Sequence, residues 1–392
     1  MGICDSTGKD DKYNNKINKE NYLNNRTIKS LSSNEMAKHE ILNLNVKNLN
    51  SMNFSQSYIN AVLQCFCNIT EFVNYFKYGK GKEILLNDNQ NEKLCKTFKI
   101  LIDNFYPDNP KELKRTSTPV DLLYNISHIN PLFKDISTNN EKDLIHFIIM
   151  TLHEELNEHS PKNNNIEESN TGNIFEDQKD KKIMSNKFTS YFKQSHVSII
   201  SDLFFAINYS KNQCLNCKAI TYNFQIYSYL YISLEEVINF KSMKNNQINA
   251  IDLLDCFDFA TKENIMSGDN AMYCNYCKKI FQSSMSTVLY TAPEILIIIL
   301  NRESDIKINF NYDLNIANYI EINNKSCQYE LIGIVSKNNV GNKDDFIAYC
   351  KGYLNNKWMK FCDTLTEPVK DIKSEVIDTS IPYLFFYKKI KK

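Results

Sequence analysis

Two hydrophobic periods share this chain, and the change between them falls near residue 199. In SMNFSQSYINAVLQCF, beginning at Ser51, the apolar positions Tyr58, Val62, Cys65 and Phe66 recur three and four residues apart. That spacing lines one face of a helix and predicts helical structure from Tyr58 to Phe76. A second stripe, in EKDLIHFIIMTLHEEL, carries Leu144, Phe147, Ile148, Leu152 and Leu156 and predicts a helix from Lys142 to Leu156. From Ile199 onward the period falls to two. The runs ISDLFFAINYS, AITYNFQIYSYLYISL, STVLYTAPEILIIIL, YELIGIVSK, DFIAYCKG, KWMKFC and PYLFFYKK are rich in aromatic and β-branched residues and predict strands. Helices first and strands later give an α+β class. No internal repeat is present.

Two stretches lack either period. Residues 1–46 are polar and rich in Asn and Lys, and are expected to be a disordered tail. Residues 160–187 are charged, Asn-rich and weakly apolar, and are expected to be a loop inserted in the domain. The tail opens MGICDS. Gly2 followed by Ser6 fits the myristoylation pattern, and Cys4 sits where a palmitoyl chain is often added. One acyl chain holds a membrane only marginally and two hold it stably, so Gly2 and Cys4 together predict membrane association.

Charge narrows the partners. Lys plus Arg and Asp plus Glu both number 46, so no basic field argues for nucleic acid. The twelve cysteines suit either a disulfide framework or a reduced chain with metal sites. The N-terminus has no apolar signal core, and the longest apolar run, Ile295 to Leu300, is far below a membrane span. An intracellular, cytoplasmic and reducing setting is therefore expected, where paired cysteines are metal ligands first. Cys214 and Cys217 form one C-x-x-C pair, and Cys274 and Cys277 another. Four thiolates close a tetrahedral shell with no open position, which predicts structural Zn2+. A thioredoxin-like redox pair is excluded because neither motif lies in a βαβ pattern.

The order of these features carries a resemblance. YINAVLQCF on a helix, KDLIHFIIMTLHEEL, two C-x-x-C pairs, EILIIIL before Asn301-Arg302, FIAYCKG, WMKF and a closing PYLFFY follow one another. That series resembles the catalytic domain of the ubiquitin-specific proteases, a cysteine deubiquitinase family, over about Asn48 to Lys389. The resemblance implies a papain-like hand fold. Its helical thumb would span about 47–195, its zinc-tipped β fingers about 196–290 and its mixed β palm about 291–390, within a domain of 47–390. It also implies ubiquitin or a ubiquitin-like modifier as partner, with a Cys-His-Asp/Asn triad cutting the isopeptide bond at the end of a channel for the ubiquitin tail.

Position by position, the resemblance places substitutions where the chemistry should be. The family's Cys box is similar to Tyr58-Ile59-Asn60-Ala61-Val62-Leu63-Gln64, which puts Ser57 at the nucleophile. Phe54 and Ser55 stand where Gly-Asn is expected, and Met52 stands at the oxyanion-hole Asn, with Asn50 and Asn53 nearby. The His box, G-H-Y-x-A-Y, aligns with Asp344-Asp345-Phe346-Ile347-Ala348-Tyr349, so Asp345 holds the base position. After Trp358-Met359-Lys360-Phe361 the orienting position holds Cys362, followed by Asp363.

These replacements bear directly on reactivity. A serine alcohol needs an adjacent base near neutrality, normally a histidine held by a carboxylate. The six histidines end at His196, so the whole palm lacks one. An unperturbed Asp345 carboxylate titrates near 4, too weak a base for an alcohol. Cys350 and Cys362, with His146 on the thumb, are the raw material for a relocated site, but as ordinary residues the cysteines are small core side chains and His146 a helix-surface or core histidine. The expectation is a pseudo-deubiquitinase that retains the scaffold and binds or bridges partners, with an active deubiquitinase of divergent machinery as the alternative.

Overall fold

In the central strands the apolar runs alternate between two cores. The computed structural model describes residues 43–44, 55–86, 93–109, 116–117, 120–130, 141–159, 180–243, 248–322, 327–338, 346–362 and 365–391. All belong to one unit, His39–Lys392. The helices are α1 (Ser55–Phe66), α2 (Thr70–Tyr78), α3 (Lys93–Phe105), α4 (Val120–Ile129), α5 (Glu141–Leu156), α6 (Lys181–Ser195), α7 (Ile199–Phe204), α8 (Leu234–Ser242), α9 (Leu253–Ala260) and α10 (Ile372–Thr379). Apart from a two-residue parallel pair, Asn43–Leu44 beside Thr116–Ser117, the strands are β1 (Ala206–Cys214), β2 (Ile220–Tyr227), β3 (Leu230–Ser233), β4 (Ala250–Asp252), β5 (Asn264–Met266), β6 (Met272–Cys274), β7 (Lys279–Phe281) and β8 (Ser283–Leu289). They continue as β9 (Ile295–Asn301), β10 (Lys307–Asn309), β11 (Asp313–Asn315), β12 (Gln328–Asn338), β13 (Phe346–Lys351), β14 (Trp358–Cys362), β15 (Leu365–Pro368) and β16 (Ser380–Lys389).

A mixed sheet in the order β15-β14-β13-β12-β16-β9-β3, with β11 beside β12, forms the centre. Ile295, Ile297 and Ile299 of β9 pack toward α1–α5, while Leu296, Ile298 and Leu300 pack toward α8, α9 and α10. A strand buried on both faces needs no polar alternation, which is why Ile295 to Leu300 is apolar throughout. A second, narrower sheet runs in the order β2-β1-β8-β5, with β6 and β7 as a separate hairpin near its C-x-x-C ends. The α+β class, with helices, then the cysteine-tipped sheet, then most of the mixed sheet in chain order, is as expected.

Several local expectations give way. The helix predicted from Tyr58 to Phe76 is two helices, broken at 67–69. Residues Ile199–Phe204, predicted as strand, form α7, because Ser198 and Ser201 make a reciprocal capping box. The Asn-rich insert gives way to helix at Lys181, where the Asp180 side chain accepts from the N–H groups of Lys182 and Ile183. Three short helices, α8, α9 and α10, interrupt what reads as a continuous run of strands. Residues 1–42, including Gly2 and Cys4, and most of the insert lie outside the described residues.

Buried His153, with half-buried His196 beside it, sits where α5 meets α7. His153 Nδ1 and Ser198 Oγ share a hydrogen bond of 2.8 Å, and His196 stacks on His153 at 5.1 Å between ring centroids. Burial, then the neighbouring His196, pushes His153 down to about 4, and burial also lowers His196. The folded state therefore keeps His153 neutral where the unfolded chain takes up a proton. This stabilisation is complete above about pH 6.5 and is lost as pH falls toward 4. In urea unfolding, wild type is expected to lose about 2 kcal/mol more between pH 7.5 and pH 5 than His153→Gln does. Equal losses would contradict the assignment.

Candidate functional site

Helix α1 lies along strand β13, and the lengths match. Ser57 to Cys65 rises about 12 Å along a helix, and Phe346 to Cys350 about 13 Å along a strand. At one end the Phe346 N–H donates to Ser57 Oγ at 3.0 Å. At the other, Cys65 Sγ and Cys350 Sγ stand 3.5 Å apart. Between them the Tyr58 ring meets the edge of Phe346 at 5.0 Å. Just past the C-terminal end of α1, Asn68 Oδ1 accepts from the Tyr353 N–H at 3.2 Å and Tyr106 OH donates to the Cys67 carbonyl at 2.8 Å, so that end is tied to the turn after β13 and to the end of α3.

This packing brings candidate positions together. Ser57 lies in the first turn of α1 and is half-buried. β13 pairs antiparallel with β14, with Ala348 opposite Phe361, so Cys362 falls at the same end of the sheet as Phe346. Asp345, the residue before Phe346, lies outside the described residues, as do Asp344, Asp363, Met52, Asn50, Asn53 and Phe54. His146 is on the exposed side of α5, its ring against Tyr229 at 6.1 Å. Cys350 is fully buried, and burial beside Cys65 and Cys67 holds its thiol well above the ordinary range. It is an inert core residue. The Ser57–Phe346 and Cys65–Cys350 contacts have no counterpart in sequence spacing, since their partners are 289 and 285 residues apart.

The second site is at the end of the narrow sheet. The sulfurs of Cys214, Cys217, Cys274 and Cys277 all lie within 4.8 Å of one another, and those of Cys217 and Cys274 are 3.6 Å apart. Tetrahedral zinc with bonds of about 2.3 Å needs sulfurs about 3.8 Å apart, so the donor set fits. Two matching turns hold it. The Lys218 N–H returns to the Cys214 carbonyl at 2.9 Å, and the Lys278 N–H to the Cys274 carbonyl at 2.8 Å. Both lysines are left-handed, at φ 61° and 56°. The peptide N–H groups of Cys277 and Tyr276 point at Cys274 Sγ and draw its thiol down to about 7, favouring the thiolate a metal requires. The long separation of the pairs is closed by β1 and β8, which pair antiparallel with Cys214 opposite Ser283.

The chain belongs to the ubiquitin carboxyl-terminal hydrolase family, whose model matches residues 48–387. It is 25% identical over 361 residues to Ubiquitin carboxyl-terminal hydrolase 4 of Saccharomyces cerevisiae, covering 84% of this chain and 38% of the relative. It is 22% identical over 343 residues to Ubiquitin carboxyl-terminal hydrolase 2 of Homo sapiens, covering 84% of this chain and 53% of the relative. The chain thus spans about two-fifths to half the length of these relatives. Among solved structures, a chain of the SAGA DUB module bound to monoubiquitin matches with a TM-score of 0.62 at 18% identity, covering 90% of this chain and 70% of its own.

If the four cysteines hold zinc, metal analysis will return one zinc per chain. Cys214→Ser, or chelation, is expected to lower the melting temperature by at least ~5 °C, because a structural metal contributes folding energy. Unchanged melting with no bound metal would contradict the site.

Proposed function

We propose that this protein is a non-catalytic member of its family, a scaffold that binds ubiquitin or a related modifier without cleaving it. The carrying observation is Ser57. It occupies the start of α1 against β13, where the family resemblance places the nucleophile, and its hydroxyl oxygen accepts the Phe346 N–H. The resemblance places the base at Asp345, and no histidine follows His196. A carboxylate near its ordinary range deprotonates a serine alcohol too poorly to support acyl transfer. Cys362 at the orienting position supplies no charge to hold a base, and Met52 supplies no donor to an oxyanion.

Binding makes no such demand, since it needs surface rather than a triad. The family and the neighbour's monoubiquitin support a ubiquitin surface on the thumb, palm and fingers, taken as 47–195, 291–390 and 196–290. The zinc held by Cys214, Cys217, Cys274 and Cys277 would fix the fingers and take no part in chemistry. In the same reading residues 1–46 are a tail acylated at Gly2 and Cys4, and the protein works in the cytoplasm at a membrane.

Calorimetric titration with ubiquitin and hydrolysis of a fluorogenic ubiquitin C-terminal conjugate test this together. The expectation is measurable affinity with no turnover. Turnover abolished by Ser57→Ala would instead establish an active deubiquitinase with a serine nucleophile. Absence of both affinity and turnover would contradict ubiquitin as partner.

A further inference from the structure

The cysteines of this chain are not equally open to reagents. Among the described residues Cys217 is the one exposed cysteine; Cys277 and Cys362 are half-buried, and the others are buried. Cys217 closes the first C-x-x-C turn, just before the left-handed Lys218. Cys214 of the same turn and Cys274 of the other are only 7% and 8% exposed. The donor set is therefore lopsided, with two sulfurs turned inward and one turned to water. Metal holding does not call for that, since a covered thiolate is as good a ligand as an open one.

The asymmetry matters because a metal shell keeps each sulfur as thiolate, the form that oxidants attack. Exposure then selects which sulfur reacts. Cys277 Sγ accepts a hydrogen bond from Asn216 Nδ2 at 3.4 Å, which engages one of its lone pairs. Cys217 Sγ and Cys274 Sγ stand 3.6 Å apart although they belong to different turns. An exposed thiolate with a second, covered one beside it is the arrangement of a sulfur that oxidises and a sulfur that resolves.

We propose that Cys217 is the site at which a hydroperoxide oxidises this protein, and that the product is a Cys217–Cys274 disulfide in place of the metal clasp. The proposal rests on zinc at the four cysteines. In the first step Cys217 Sγ attacks hydrogen peroxide. The O–O bond breaks, one oxygen stays on sulfur as the sulfenic acid, and the other leaves as hydroxide. In the second step the Cys274 thiolate attacks Cys217 Sγ, the S–S bond forms, and the sulfenic oxygen leaves as a second hydroxide. Two thiolates have given up two electrons, and the peroxide has become two hydroxides. With two of four ligands joined to each other, the site no longer holds its metal, and a thiol reductant restores it. The order of the cysteine turns at the end of the narrow sheet then depends on oxidant.

The test uses the full zinc-loaded chain carrying Cys4→Ser, since Cys4 lies outside the described residues. Zinc content is measured first. Hydrogen peroxide is expected to release the zinc to a chromogenic chelator, with peptide mapping joining Cys217 to Cys274, and dithiothreitol with added zinc is expected to reverse both changes. Cys217→His keeps a ligand that structural zinc accepts and is expected to slow release about tenfold or more, whereas Cys214→His, at a buried position, is expected to release zinc near the wild-type rate. Alkylation of the loaded wild-type chain by iodoacetamide gives the same reading without any ligand variant, with the first adduct expected at Cys217. Zinc retained under peroxide, a first modification at Cys362, or a disulfide that excludes Cys217 would overturn the proposal and leave the zinc site standing. A chain that carries no zinc as purified would overturn both.

Discussion

Everything at the candidate centre depends on α1 lying flat along β13. The contact is made by shape before it is made by chemistry. A helix of eight steps and a strand of four cover the same distance, and their buried faces interleave along it. Phe66, near the far end of α1, packs its ring against Phe72, Phe98, Phe204 and Phe386, joining four other elements to the helix. Truncating so enclosed a ring typically costs about 3–5 kcal/mol. The start of α1 is thus held at a fixed height above the sheet, whatever residue stands there.

The placing of position 57 is thus set by packing and not by the chemistry of the residue there. A thiol at position 57 would gain from the helix N-terminus, which favours the thiolate. A serine gains little, because its hydroxyl stays protonated, and the oxygen serves instead to accept the Phe346 N–H. At the end of the narrow sheet both cysteine pairs, their two left-handed turns and the antiparallel β1–β8 ladder assemble a donor set that fits zinc.

Much of this was legible in the chain. The apolar stripe around Tyr58 and Val62, the doubly buried run Ile295 to Leu300 and the two C-x-x-C pairs each obey a local rule, and they appear in the structure as helix, central strand and clustered thiols. The short helices were less visible. Ile199–Phe204 has an apolar composition that suits a strand, and only the Ser198–Ser201 box turns it into a helix. The ties between α1 and β13 were invisible for a different reason. They join residues nearly 300 positions apart, and no spacing rule reaches across that distance; only the family order placed Ser57 and the residue before Phe346 at one site.

The most direct measurement is intact-mass analysis of the purified chain after incubation with ubiquitin bearing a C-terminal electrophile. Such a probe reports a bound tail meeting a competent nucleophile, without relying on turnover. The account predicts that the chain's mass stays unchanged while ubiquitin itself is still bound. A covalent adduct mapped to Ser57 or to Cys362 would show a working nucleophile at the centre and contradict the claim that this fold has kept its surface and lost its reaction.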